Sequence, residues 1–225
     1  VRDRLRRHPS RYLDFVFGRH EIALPVAARE TVRRRGELAL RRCTPDEVEA
    51  FARTAADYLS RTYGATVPES AILPTPGGRA ALSTLAATLI SPGDSVVVTE
   101  PGYPVFDRVA AQSHGVVRTV ALDPAHDFEP TLSASSGAPA RLLALNYPNN
   151  PTGTVPSASV IASIQRHVDP ETIWLNDATY GPLTYGITPF SLLATRPVAS
   201  GQVRGIELHS LAKLFPLGPL SASFL

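Results

Sequence analysis

From residue 45 onward the chain alternates short β-branched apolar runs with segments of helical periodicity, and no other feature constrains its fold as much. The first predicted helix opens at Thr44-Pro45-Asp46-Glu47. Thr44 suits the N-cap and Pro45 the first helical position; Val48, Phe51, Ala52, Ala55 and Tyr58 recur at helical spacing, and Tyr63-Gly64 closes the segment. Helices are then expected over 80–90, 105–113 and 157–167, alternating with strands over 95–99, 116–120, 142–146, 173–176 and 205–209. These strands are short apolar runs rather than apolar–polar alternations, which is how strands buried on both faces read. The fold class is therefore α/β, a mostly parallel sheet with helices on both faces. Ligands of such sheets bind beyond the carboxyl ends of the strands, so the loops that follow strands are where chemistry is expected. Residues 1–42, arginine-rich with an apolar patch at Leu13-Asp14-Phe15-Val16-Phe17-Gly18, read as an N-terminal arm, and 43–225 as one large domain. The run Ser133-Ala134-Ser135-Ser136-Gly137 reads as a surface loop.

Composition narrows the class of function. The chain has 225 residues, 44% hydrophobic and 19% charged, the profile of a globular protein able to bury a core. No run approaches the roughly 18 apolar residues of a membrane span, and no apolar segment follows Val1 to His8, so a cytoplasmic address and no membrane partner are expected. A single cysteine, Cys43, cannot form a disulfide within the chain and suits a reducing compartment. The net charge of +2 comes from arginine clusters at the two ends of the first forty residues, without aromatic interleaving, which argues against a nucleic-acid partner. Of the 22 basic residues, only Lys213 is a lysine and the other 21 are arginine.

Several strand-end loops carry unusual polar residues. Pro74-Thr75-Pro76-Gly77-Gly78-Arg79 runs into a helix, where glycines and helix N–H groups can close on an anion. Read alone, it serves equally as a structural turn. Asn146-Tyr147-Pro148-Asn149-Asn150-Pro151-Thr152-Gly153 follows a buried strand, and its prolines stiffen the backbone that presents the asparagines. Asp177 follows the apolar run 173–176, at a depth where an unpaired carboxylate is costly, and Tyr180 lies three residues on; a helix cap is the alternative use of such an aspartate. Lys213, in Ser210-Leu211-Ala212-Lys213, again comes directly after a strand. Arginine serves equally for surface charge but cannot form an imine, so a lone lysine among arginines favours covalent use.

The order and spacing of these loops resembles the fold-type I enzymes of pyridoxal 5′-phosphate (PLP), class I/II aminotransferases, along nearly the whole chain. Thr75 to Leu82 looks like the family's glycine loop and helix. Pro92-Gly93-Asp94, the strand after it and Glu100-Pro101-Gly102-Tyr103 look like its "PGD, strand, E-P-x-Y" segment. Asn149-Asn150-Pro151-Thr152-Gly153, Asp177-Ala178-Thr179-Tyr180 and Ser210-Leu211-Ala212-Lys213 match its N-N-P-T-G, D-x-x-Y and S-x-x-K strings. The resemblance implies that Lys213 would carry PLP as an imine and shuttle the proton at the substrate α-carbon. Asp177 would pair with the pyridine nitrogen, and Tyr103 would stack on the ring. Asn150 and Tyr180 would hydrogen-bond the phenolic oxygen and lower the imine pKa. The N–H groups of Gly78 and Arg79, with the Ser210 hydroxyl, would hold the phosphate.

The match also departs from the family. Its phosphate-gripping arginine, eight residues after the lysine, falls here on Ser221, and an aromatic residue offered to the neighbouring subunit is replaced by Cys43. The resemblance implies a small C-terminal domain, bringing the arginine for the substrate carboxylate, that is missing from this chain. The expected activity is transamination between an amino acid and a keto acid, in a homodimer. The alternatives are another fold-type I PLP reaction (lyase, cyclase, oxidase or synthase) and a non-catalytic subunit or ligand sensor.

Overall fold

The five apolar runs expected as strands pair side by side in a computed structural model that describes residues 22–36, 41–130, 139–216 and 221–225. They form the parallel centre of an eight-stranded sheet of order β1-β8-β7-β6-β5-β2-β3-β4. The strands are β1 (Pro74–Thr75), β2 (Ser95–Glu100), β3 (Val116–Asp123), β4 (Glu129–Pro130), β5 (Leu142–Leu145), β6 (Ile173–Asp177), β7 (Gly205–Ser210) and β8 (Ser223–Phe224). The pairs β3–β2, β2–β5, β5–β6 and β6–β7 are parallel; β8 runs antiparallel to both β7 and β1, and β4 antiparallel to β3. The chain leaves β2 for β3 on one side and returns to β5 on the other. The reversal at β2/β5 is the topological switch at which sheets of this kind open a crevice beyond their carboxyl ends.

Helices cover both faces, as the apolar runs require. Val96, Leu142, Ala144, Leu175 and Leu208 point to one face, under α3 (Gly78–Leu89) and α4 (Phe106–Gln112). Val97, Leu143, Leu145 and Trp174 point to the other, under α5 (Ala158–His167). Leu142, Leu143, Trp174 and Leu175 are all but inaccessible, and full burial of side chains of this size stabilises by about 1.5–3 kcal/mol each.

The helix α2 (Pro45–Tyr63) starts as its sequence dictates. Glu47 N–H donates to the Thr44 hydroxyl, Thr44 N–H donates to the Glu47 carboxylate, and Arg41 braces that carboxylate, which is held down to about 2 by the Arg41 hydrogen bond. Its buried stripe is Ala52, Ala55, Leu59 and Tyr63, whereas Val48, expected on that stripe, is 40% exposed. The stripe packs on Phe224 of β8.

Five elements differ from the sequence reading. β1, β4 and β8 have two residues each, too short for any periodicity to register, and β3 runs on to Asp123 because β4 pairs with its end. Within the expected arm, 26–35 forms α1 (Val26–Arg35), which buries none of its residues. Residues 1–21 and 37–40 of that arm and the loop expected at 133–137 lie outside the described residues. Among the described residues no helix is long and apolar enough to cross a membrane.

Candidate active site

At the start of α3 the backbone does what the glycines permit. Gly77 has φ +103°, a conformation closed to most side chains, and a Cβ there would come within 2.7 Å of the Ser221 Cβ, so the segment leading into β8 packs directly against the loop. Helix α3 therefore begins abruptly at Gly78 with no side-chain cap. The N–H groups of Gly78 and Arg79 belong to the first turn, whose donors have no partner within the helix, and they sit at the positive end of its dipole. The Arg79 guanidinium turns to Tyr103, with Nε and Nη2 donating to the phenol oxygen at 3.4 and 3.3 Å. The loop after β2 and the start of α3 thus meet at the mouth of the crevice.

Asparagines tie neighbouring strand ends together. Beyond β5, the Asn146 amide donates to Asp177 O at 3.0 Å and accepts the Asn150 N–H at 3.0 Å. Asn149 donates to Pro101 O at 3.2 Å and accepts from the Thr152 N–H and hydroxyl at 3.1 and 2.8 Å. The N-N-P-T-G segment is in this way hung between the ends of β2 and β6. Asn150 is left at the cavity wall.

Asp177 is the last residue of β6 and accepts the Thr179 N–H at 3.1 Å. Burial pushes its carboxyl above the ordinary carboxylate range, against the opposing pull of Thr179 and of the His209 charge. The turn that follows brings Tyr180 back over the crevice, with Lys213 Nζ 5.5 Å from its ring centroid. Gly181 has no room for a side chain, because a Cβ there would lie 2.6 Å from the buried Tyr63 hydroxyl of α2. That close approach is how α2 sets the height of the Asp177–Tyr180 turn. After β7, the Ser210 hydroxyl accepts the Ala212 N–H at 3.3 Å and starts the turn that carries Lys213.

All eight residues singled out in the sequence line one cavity of about 580 Å³: Gly78, Arg79, Tyr103, Asn150, Asp177, Tyr180, Ser210 and Lys213. They come from four separate strand ends and from the start of α3. Ser221 lines it too, against Gly77, and among the described lining residues the cationic side chains are Arg79 and Lys213. A smaller cavity of about 180 Å³ adjoins it, sharing Tyr103, Asn146 and Asp177 and reaching under α4 to Asp107. Among the described residues no group of three or more His, Cys, Asp or Glu side chains could hold a metal ion.

Sequence reasoning passed over Asn146, Asn149, Asn176 and Thr179 as individual contributors. Asn146 and Asn176 close apolar strands, and a polar amide at the buried end of a strand is the signal that marks them; Asn149 and Thr179 carry no signal apart from the motifs in which they stand.

The sequence profile of the aminotransferase class I and II family matches residues 14–217. The LL-diaminopimelate aminotransferase of Methanocaldococcus jannaschii is 29% identical over 229 residues, covering 98% of this chain and 54% of that protein. The enzyme of the same name from Desulforudis audaxviator is 32% identical over 172 residues, covering 74% of this chain and 43% of that protein. The substrate-bound structure of BacF from Bacillus subtilis has the same fold, with a TM-score of 0.79 at 23% identity over 99% of this chain and 58% of that one. The chain spans about half the length of the curated relatives it matches. With its sheet order, its strand-end cavity and a profile match over most of its length, the chain belongs to the aminotransferase class I and II family of PLP-dependent enzymes.

Proposed function

We propose that this chain carries the cofactor-binding half of an aminotransferase that moves an amino group between an amino acid and a keto acid. The observation that carries the reading is the convergence of eight residues, named from sequence motifs alone, on one cavity of a size suited to a cofactor and a small substrate. The donor set fits PLP: an anion seat at the start of α3, a carboxylate kept short of donors, an amine and an aromatic ring share the same walls. When bound, PLP supplies an electron sink for the charge that develops at the substrate α-carbon.

The chain's own residues do the rest. Lys213 would be the covalent attachment point and the base that moves the proton at the α-carbon, a task closed to arginine. Asp177 would hold the proton-bearing ring nitrogen, Tyr103 would cover a ring face, and Asn150 and Tyr180 would donate to the phenolic oxygen. The N–H groups of Gly78 and Arg79, the Ser210 hydroxyl and the Arg79 guanidinium would hold the phosphate, the last taking the part that Ser221 cannot.

The finer organisation belongs to the same proposal. Residues 1–42 form an arm and 43–225 the large domain. The enzyme is a homodimer, supported by the exposed Ile22, Val26 and Val32 on and beside α1, which offer apolar surface that none of the described residues buries. A cytoplasmic address is supported by the single, exposed Cys43. LL-diaminopimelate and other amino acids named for its relatives are the first substrates to assay.

Borohydride reduction of the full-length enzyme reconstituted with PLP, followed by peptide mapping, is expected to place the pyridoxyl group on Lys213. Attachment to no lysine, or failure to take up PLP, overturns the reading. Sedimentation is expected to give a dimer, and a fully active monomer rules the homodimer out.

A further inference from the structure

Behind the cavity, on the opposite face of β6 and β7, a second carboxylate is completely enclosed. Glu207 accepts from Asn176 Nδ2 at 3.1 Å and Leu192 N at 3.3 Å on one oxygen, and from the Ser191 hydroxyl at 2.6 Å and Leu193 N at 3.3 Å on the other. His209 Nε2 stands 3.8 Å away, with the His209 ring between Tyr63 and Phe224. Asn176, itself fully buried, uses its remaining groups on one residue of the neighbouring loop: Oδ1 accepts the Tyr147 N–H at 2.8 Å and Nδ2 donates to Tyr147 O at 3.0 Å. Tyr147 stands between Asn146 and the Asn149-Asn150 pair, and Asn176 is the residue before Asp177.

We propose that Glu207 is a positioning residue for the active site: by fixing the Asn176 amide it sets the strand-end loops that present Asn150 and Asp177 to the cofactor. The amide has two orientations. In the one observed, both of its N–H groups and its oxygen are used; in the flipped one, its oxygen faces the Glu207 carboxylate lone pair to lone pair, and both Tyr147 contacts are lost. A carboxylate behind the sheet therefore makes the bidentate grip on Tyr147 one-way. Asn146 then passes the register on, joining Asp177 O to the Asn150 N–H on the cavity side. The Ser191, Leu192 and Leu193 contacts are a separate branch, tying the loop before β7 to the same carboxylate.

This inference rests on the proposed PLP reading and is tested on the full-length holoenzyme by three readouts: PLP dissociation constant, pH titration of the visible imine band, and thermal unfolding. Asn176→Asp sets a second carboxylate against Glu207 and leaves Tyr147 O without its donor. It is expected to weaken PLP binding by about tenfold or more and to move the imine titration by about one pH unit. The double variant Asn176→Asp with Glu207→Gln relieves the repulsion between the two carboxylates but still leaves Tyr147 O without its donor, so it is expected to regain thermal stability while affinity and imine titration stay shifted. Ser191→Ala removes only the other branch, so it should lower thermal stability while leaving affinity and imine titration unmoved. If Asn176→Asp does not fold, Glu207→Gln alone is expected to shift the same two readouts in the same direction, by about threefold in affinity.

Variants at 176 and 207 that lose stability yet keep affinity and titration within about twofold of wild type overturn the positioning role, as does a Ser191→Ala effect of equal size. A wild-type protein that forms no imine with PLP removes the proposed function, and this inference with it. A wild-type imine that the variants leave unmoved removes this inference alone.

Discussion

Asp177 and Glu207 are carboxylates on adjacent strands, with Asp177 paired in register to Leu208, the next residue after Glu207, and the environment treats them in opposite ways. Glu207 lies behind the sheet. Burial alone would raise its pKa, but His209, Ser191 and Asn176 outweigh burial and hold it below the ordinary range. Asp177 opens on the cavity. Burial pushes it up, and Thr179 and the charge of His209 offset only part of that. A buried carboxylate whose oxygens are all satisfied by its own protein holds structure together. One left short of donors at the floor of a cavity is stabilised by what binds there, and a protonated ring nitrogen is such a group.

The contrast can be broken most severely at Glu207. Glu207→Leu strands the Asn176, Leu192 and Leu193 donors in a closed interior, and chemical denaturation of the full-length protein is expected to register a loss of about 3 kcal/mol or more. A loss under about 1 kcal/mol would mean that water or a rearranged loop takes the carboxylate's place. At Asp177 the expected damage is catalytic. Asp177→Asn keeps the shape and loses the charge, and steady-state assay is expected to show transamination slowed by about a hundredfold or more at full PLP occupancy, or about 2.7 kcal/mol in transition-state stabilisation. Unchanged activity there would end the comparison, because Asp177 would then be another structural carboxylate.

A smaller effect carries the opposite sign. Because folding raises the Asp177 pKa, the folded apoprotein is penalised as pH rises from the ordinary aspartate value of about 3.9 through the raised one. Apo Asp177→Asn should therefore melt above the apo wild type at neutral pH, with the gap closing in acid. Glu207 runs the other way. Its stabilisation is complete above the ordinary glutamate value of about 4.3 and is lost as pH falls through its depressed folded value, so the deficit of Glu207→Gln should shrink in acid. Melting curves of both variants against pH check the two signs together.

Glu47 supplies the smallest effect. Its carboxyl is also held down, to about 2, by Arg41, but on the surface where water competes for both partners. Arg41→Ala should shift the melting temperature least of all these changes, and a shift comparable to that of Glu207→Gln would contradict the distinction between enclosed and exposed carboxylates.

Both kinds of residue were unequally legible. Asp177 could be named because it stands at the end of an apolar run and within D-x-x-Y, and Lys213 because it is the only lysine in the chain. Glu207 sits inside Gly205-Ile206-Glu207-Leu208-His209, where it interrupts an apolar strand, yet its partners lie 14 to 31 residues away in sequence. Nothing local says that Ser191 or Asn176 will meet it. The buried stripe of α2 was likewise displaced from Val48 toward Leu59 and Tyr63, because the surface it packs on is built by β8, at the far end of the chain.

The sequence by itself determined the class of fold, the order of its central strands and the helices between them, the caps of α2, and the loops that line the cavity, since each follows from periodicity, backbone preference or residue type within a short window. The tertiary structure alone decided the order of strands in the sheet, the short edge pairings of β1, β4 and β8, and the convergence of four strand ends on one cavity. It also decided which buried carboxylate is satisfied and which is left open, because that depends on donors brought together from distant segments, and no local window contains them.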